Sequence, residues 1–131
     1  MDISVGDRAT RSLTLTTEHV EQFAQLSGGR NPLHFDEDFA AATPFGRLVV
    51  QGGLTTGLLH ALVAMDMPGP GTVFMNQEWK FTAPVFIDDT ITAEVEVLST
   101  HATKLGITVR RQDGETVLEG EAVCYTFEGP Q

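Results

Sequence analysis

Cysteine occurs once in these 131 residues, and so do tryptophan and tyrosine. The single Cys124 excludes an intramolecular disulfide and fits a reducing compartment; it lies in the alternating segment from Val117 to Phe127 and reads as packing rather than chemistry. Cations are also scarce, with eight Lys and Arg against 18 Asp and Glu and a formal net charge of -10. That field repels phosphate backbones and anionic membrane surfaces, so neither nucleic acid nor a membrane is an expected partner. No apolar run approaches bilayer-spanning length, and Met1-Asp2-Ile3-Ser4-Val5-Gly6-Asp7 has neither the basic n-region nor the apolar core of a secretory signal. A cytoplasmic location is expected. No pair of His, Cys or carboxylates falls at metal-ligand spacing, and no Gly-rich phosphate loop or nucleophile elbow occurs, so no metal or bound cofactor is expected.

What is present is ordinary for a globular chain: 41% apolar and 20% charged residues, without repeats, low-complexity segments or linkers. One domain over residues 1–131 is expected. Arg8 to Leu15 suits a short strand, and Thr16 or Thr17 can cap a helix to about Leu26 that stops at Gly28-Gly29. Asp36 can cap a short helix to about Ala42, ended by Thr43-Pro44-Phe45-Gly46. From Gly53 to about Met65 apolar residues fall nearly all round, which predicts a helix buried on most sides. After Gly71 the pattern changes to strands over 72–82, 90–100, 103–111 and 116–127, with a hairpin turn at Asp113-Gly114 and a bend at Pro84. This order predicts an α+β fold with a helix packed on one face of an antiparallel sheet. Uncovered edges predict a homodimer or larger homo-oligomer.

Two stretches carry the most information: Ser27-Gly28-Gly29-Arg30-Asn31-Pro32-Leu33-His34-Phe35-Asp36, and Val49-Val50-Gln51-Gly52-Gly53-Leu54 at the head of the apolar helix. The chain resembles the MaoC-like R-specific enoyl-CoA hydratases, whose first motif reads Ser-Gly-Asp-x-Asn-Pro-Leu-His. Asn31, Pro32, Leu33, His34, Asp36, Phe39 and Ala40 match the pattern residue for residue. The likeness runs from Val5-Gly6-Asp7 through Phe81-Thr82-Ala83-Pro84 to the last strand. It implies a hot-dog fold, in which a curved antiparallel sheet wraps a long helix. It also implies a hydro-lyase that acts on 2-enoyl or 3-hydroxyacyl thioesters of coenzyme A or an acyl-carrier protein.

Adding water to such a thioester needs a base for water, a proton for the α-carbon and donors to the enolate oxygen. By the resemblance, His34 supplies the imidazole, Asn31 orients the loop and the Gly52 N-H donates to the oxyanion. Gly52 reads equally well as a plain turn glycine. Gly53, Thr56 and Val63 are candidate substrate contacts on the same helix, with His60 and Val63 on the pocket floor. Arg30, Arg47, Lys80, Lys104, Arg110 and Arg111 are the cations available to meet an anionic carrier, or else solvated surface charges. His19 and His101 read as surface residues.

Two positions depart from the family pattern. Gly29 stands where the catalytic Asp is expected, and Gln51 where a second His commonly precedes the glycine. A carboxylate from Asp36, Glu37 or Asp38 could replace the missing Asp, although Asp36 suits a helix cap. His60, two helical turns after Gly52, could serve as a second base, bind a polar acyl group or be a core residue satisfied by a neighbour. Otherwise His34 works alone on a reaction that needs one base, such as moving a double bond in an activated enoyl thioester. Three readings follow: a hydratase or dehydratase with an atypical site, a double-bond isomerase or other lyase on an acyl thioester, and a non-catalytic acyl-thioester-binding subunit of a hetero-oligomeric dehydratase.

Overall fold

Helices in this chain start and stop where side chains can satisfy the backbone. The computed structural model describes residues 2–130. Strand β1 (Arg8–Thr14) leads into α1 (Thr17–Ser27) through the N-cap Thr16. The Thr16 hydroxyl accepts from the His19 N-H, and the His19 Nδ1 accepts from the Thr16 N-H at 3.1 Å. The sequence suggested a surface His19; the structure half-buries it, because a ring nitrogen at this position reaches back to the cap as a Glu side chain does. Gly28 closes α1 in the left-handed region, with φ 82°. Pro32–His34 form one 3₁₀ turn, and α2 (Glu37–Ala41) begins on Asp36, whose Oδ1 accepts from the Phe39 N-H at 3.0 Å. Helix α3 (Gly52–Ala61) continues as a wider π turn over Leu62–Asp66.

Strands β2 (Thr72–Phe81), β3 (Thr90–Ser99), β4 (Thr103–Arg111) and β5 (Thr116–Thr126) follow. All five strands pair antiparallel in the order β1-β3-β4-β5-β2. In β3 the alternation is clear: Ile91, Ala93, Val95 and Val97 are buried, and Glu94 and Glu96 take the opposite face. Gly120 of β5 lets β2 pass close by, since a Cβ there would collide with the Glu78 carbonyl and the Trp79 ring.

The core lies between α3 and the sheet. Thr55, Leu58, Leu59, Leu62 and Val63 are buried from the helix side, facing a sheet whose Ile91, Val95, Leu105, Val109 and Leu118 are also sealed from solvent. A long helix held by a five-stranded antiparallel sheet is the hot-dog fold. The sheet covers one side of α3 and α1 packs on another, so most of the helix is buried or half-buried as expected; Gly52, Gly57, His60 and Met65 are exposed. The edge strand β2 also shows Val73, Met75 and Phe81 to solvent. No helix among the described residues is long and apolar enough to cross a membrane.

Leu59 has no exposed surface, so Leu59→Ala is expected to lose about 2–5 kcal/mol of stability in urea denaturation. A loss well under 1 kcal/mol would contradict the packing described. Burial pushes the Cys124 thiol up to about 11, which keeps it protonated at pH 8. Iodoacetamide should therefore spare Cys124 in the folded protein and label it once urea unfolds the chain.

Candidate active site

A carbonyl oxygen can only accept a hydrogen bond, and this fixes which ring nitrogen of His34 holds a proton. Its Nδ1 lies 2.7 Å from the Val49 carbonyl oxygen, so Nδ1 carries a proton, and in the neutral ring the lone pair is on Nε2. The 3₁₀ turn that presents His34 is held by Asn31, whose Oδ1 accepts from the Leu33 N-H at 3.1 Å and whose carbonyl accepts from the His34 N-H at 3.0 Å. The Leu33 carbonyl accepts from the Val49 N-H, so the loop is stitched to Val49 on both sides of the ring contact.

Three residues beyond Val49, α3 begins with no side-chain cap. The N-H groups of Gly52 and Gly53 have no hydrogen-bond partner among the described residues, and the helix dipole adds partial positive charge there. Phe81 packs over Gly52, where an added Cβ would stand 3.1 Å from the ring. Gly53 faces away, towards α1, and a Cβ on it would drive into the Phe23 ring. Gln51 also serves this junction. It is buried, and its Nε2 donates to the Val20 carbonyl at 2.9 Å, while its Oε1 has no partner.

Beside the first turn of α3 lies a cavity of about 440 Å³, within the size range of small-molecule sites. Val49, Val50, Val85, Val117 and Thr55 make its buried lining, Phe45 and Phe81 stand exposed around it, and Gly52 is on its rim. The segment that closes it is tied down by two polar struts. Buried Asp89 accepts from the Phe86 N-H at 2.8 Å and from the Gln112 amide at 2.7 Å. Arg111 donates to the Pro84 carbonyl at 2.9 Å and grips Asp113 with two nitrogens. That hydrogen-bonded pairing holds the Asp113 carboxyl below its ordinary pKa and raises that of Arg111. Reading the sequence missed Asp89, Gln112 and Thr55; only Thr55 had a signal, its place three residues after Gly52 on the same helix face. A wider hollow on the outer sheet face is walled by Glu78, Glu94, Glu96, Glu119 and Glu121, a lining that repels an anionic carrier.

The other predicted residues are scattered. His60 is exposed and turned to β2, where its Nε2 donates to the Gln77 Oε1 at 3.0 Å and its ring packs 4.9 Å from that of Phe74. About 12 Å of helix separates it from Gly52. Thr56 bonds back to the Gly53 carbonyl at 3.1 Å, and Val63 belongs to the core cluster. Arg30 is engaged by Glu21 through two hydrogen bonds, Lys104 by Glu121 and Arg111 by Asp113. Arg47, Lys80 and Arg110 have no ion-pair partner among the described residues, and Arg47 sits 3.9 Å above the Phe86 ring. Gly29 is exposed and open. Among the described residues no cluster of His, Cys, Asp or Glu could hold a metal ion.

The chain is similar to known proteins in sequence and in fold. The model of the MaoC-like domain matches residues 5–119. The (R)-specific enoyl-CoA hydratase of Rhodospirillum rubrum is 39% identical over 124 residues, covering 92% of this chain and 86% of that protein. The 3-hydroxybutyryl-CoA dehydratase of Methylorubrum extorquens is 38% identical, covering 93% of this chain and 80% of that one. Among solved structures, the (R)-hydratase from A. caviae involved in PHA biosynthesis superposes with a TM-score of 0.89 at 36% identity, over 95% of this chain and 98% of that one. With a family match across residues 5–119 and a relative 39% identical over 92% of its length, this chain belongs to the MaoC-like domain family.

Proposed function

We propose that this protein is a hydro-lyase that interconverts 2-enoyl and 3-hydroxyacyl thioesters of coenzyme A or an acyl-carrier protein, with His34 as acid/base and the Gly52 N-H as donor to the thioester oxygen. The observation that carries the reading is the Nδ1 contact of His34 with the Val49 carbonyl. It commits Nδ1 to the loop and leaves Nε2 for the substrate, on a residue whose neighbours run straight into an uncapped helix end and an apolar cavity.

The chemistry balances without a carboxylate at Gly29. Nε2 takes a proton from water as the water oxygen bonds to C3, and the π electrons of C2=C3 shift towards the thioester oxygen, where the Gly52 N-H and the helix dipole stabilise the charge. The imidazolium then returns that proton to C2 on the same face. Dehydration runs these steps backwards. One imidazole serves both transfers, and Asn31 acts only by holding the turn on which it rides.

Gly29 favours a second reading, a subunit that binds acyl thioesters and leaves catalysis to a partner. We read the chain as one half of a homodimer, supported by the open side of α3 and the apolar edge of β2. The single buried Cys124 supports a cytoplasmic setting.

Loss of enoyl absorbance with crotonyl-CoA tests the function. The native protein should turn over and His34→Ala should lose about 10²–10⁴ in rate. Gly29→Asp should raise the rate, since an added Cβ meets only the Ser27 Oγ, at 3.5 Å. Turnover by Gly29→Asp alone would leave the native chain as a binder, and no turnover by any of the three on a broad acyl panel would end the hydro-lyase reading. Light scattering should give the mass of two chains, and Met75→Asp should shift it towards one; a native monomer would refute the dimer.

A further inference from the structure

Thr55 is the buried polar side chain of an otherwise largely apolar pocket. It is 2% exposed, it lines the cavity beside α3, and its hydroxyl has no hydrogen-bond partner among the described residues. Neighbouring threonines behave otherwise. Thr56, next along the helix, bonds back to the Gly53 carbonyl at 3.1 Å, the usual solution for a threonine inside a helix. Thr82, the other threonine of the cavity lining, donates to the Thr116 carbonyl at 2.7 Å. Thr55 alone leaves its hydroxyl unused, among Val49, Val50, Val85 and Val117. The hydroxyl oxygen is not sealed off, since among the described residues the buried side-chain polar atom left without a partner is Gln51 Oε1; it opens into the cavity, where a ligand can reach it.

We infer that the Thr55 hydroxyl is a substrate contact that selects short acyl thioesters bearing a hydrogen-bonding group on the fourth acyl carbon. Gly52 and Thr55 lie three residues apart on one face of α3, about 4.5 Å along its axis. With the thioester oxygen on the Gly52 N-H, the acyl group enters the cavity and its fourth carbon comes level with Thr55. This placement of the carbonyl rests on the proposed function; the unpartnered hydroxyl does not. An alkyl chain at that point shuts Thr55 away from water with nothing to bond, whereas a hydroxyl or carbonyl substituent satisfies it. Sites built to bond a substrate hydroxyl discriminate strongly against the analogue that lacks it.

The test compares ligands that differ by one hydroxyl for one methyl. Pentanoyl-CoA and 4-hydroxybutanoyl-CoA have acyl groups of equal heavy-atom count, contain no double bond and report binding by calorimetry without turnover. The native protein should bind the hydroxylated ligand about tenfold or more tightly. Thr55→Val should abolish or invert that preference, and Thr55→Ser, which keeps a hydroxyl, should retain it. The unsaturated pair, pent-2-enoyl-CoA and 4-hydroxybut-2-enoyl-CoA, should show the same ratio in kcat/KM. Equal binding of the two ligands by the native protein overturns the inference, as does an alkyl preference, a Thr55→Val effect of the same size on both, or binding of neither. If the binding ratio holds while neither unsaturated thioester is hydrated, the hydro-lyase reading fails and the role of Thr55 stands.

Discussion

The packing of α3 against the sheet is the constraint on which the rest of the site depends. Leu58, Leu59, Leu62 and Val63 are sealed against the sheet, and none can rotate out without opening a void in the core. The axial and angular position of the helix is thereby set, and with it the point in space where the free N-H groups of its first turn stand. A hydrogen-bond donor to a developing negative charge is effective only if it is already in place. The apolar core supplies that placement, at the cost of leaving two backbone N-H groups uncapped.

Everything else at the site is tied to the same helix end by polar contacts of short range. The His34 turn is stitched to Val49, and Val50 donates to the Val85 carbonyl at 2.8 Å, so loop, helix entry and the 82–89 segment form one piece. Asp89 holds that segment from within while Arg111 holds it at Pro84. These ties matter because the segment has no helix or ladder of its own to satisfy its backbone. Gln51 takes the position where an ionisable imidazole is expected and acts as a neutral brace between α3 and α1.

Most of the fold was legible because local signals agreed. Strand alternation, the Thr16 and Asp36 caps, the Gly28 stop and the Asp113-Gly114 turn each point to the elements observed, with strand ends within one residue. Less was legible at the site, since what decides it is long-range. The partner of His34 is 15 residues away, that of Asp89 is 23, and that of Gln51 is 31. Nothing in the spacing of Gly53 separates a ligand contact from a seat for Phe23. The π turn after Ala61 and the open side of α3 escape notice for another reason: an all-round apolar pattern records that a surface is to be covered, not by which chain.

The glycines show best where structure ends and chemistry begins. Gly28 adopts a left-handed backbone that side chains resist. Gly53 and Gly120 have no room for a Cβ, against Phe23 and against the β2 backbone. Gly29 meets none of these demands. Its φ is not positive, it is exposed, and a Cβ would touch a single serine oxygen. The fold therefore has room for a Cβ there, so packing does not require glycine at this position. Under the proposed function, His34 and the free N-H groups at the head of α3 are the parts that act on one proton and on the thioester oxygen, and neither needs a side chain at position 29. The cavity beside that helix end presents one unpartnered hydroxyl, Thr55, among buried valines. On that reading a substrate with its own polar group accounts for Thr55 and for a site without a carboxylate at Gly29 together, where loss of catalysis would account only for Gly29.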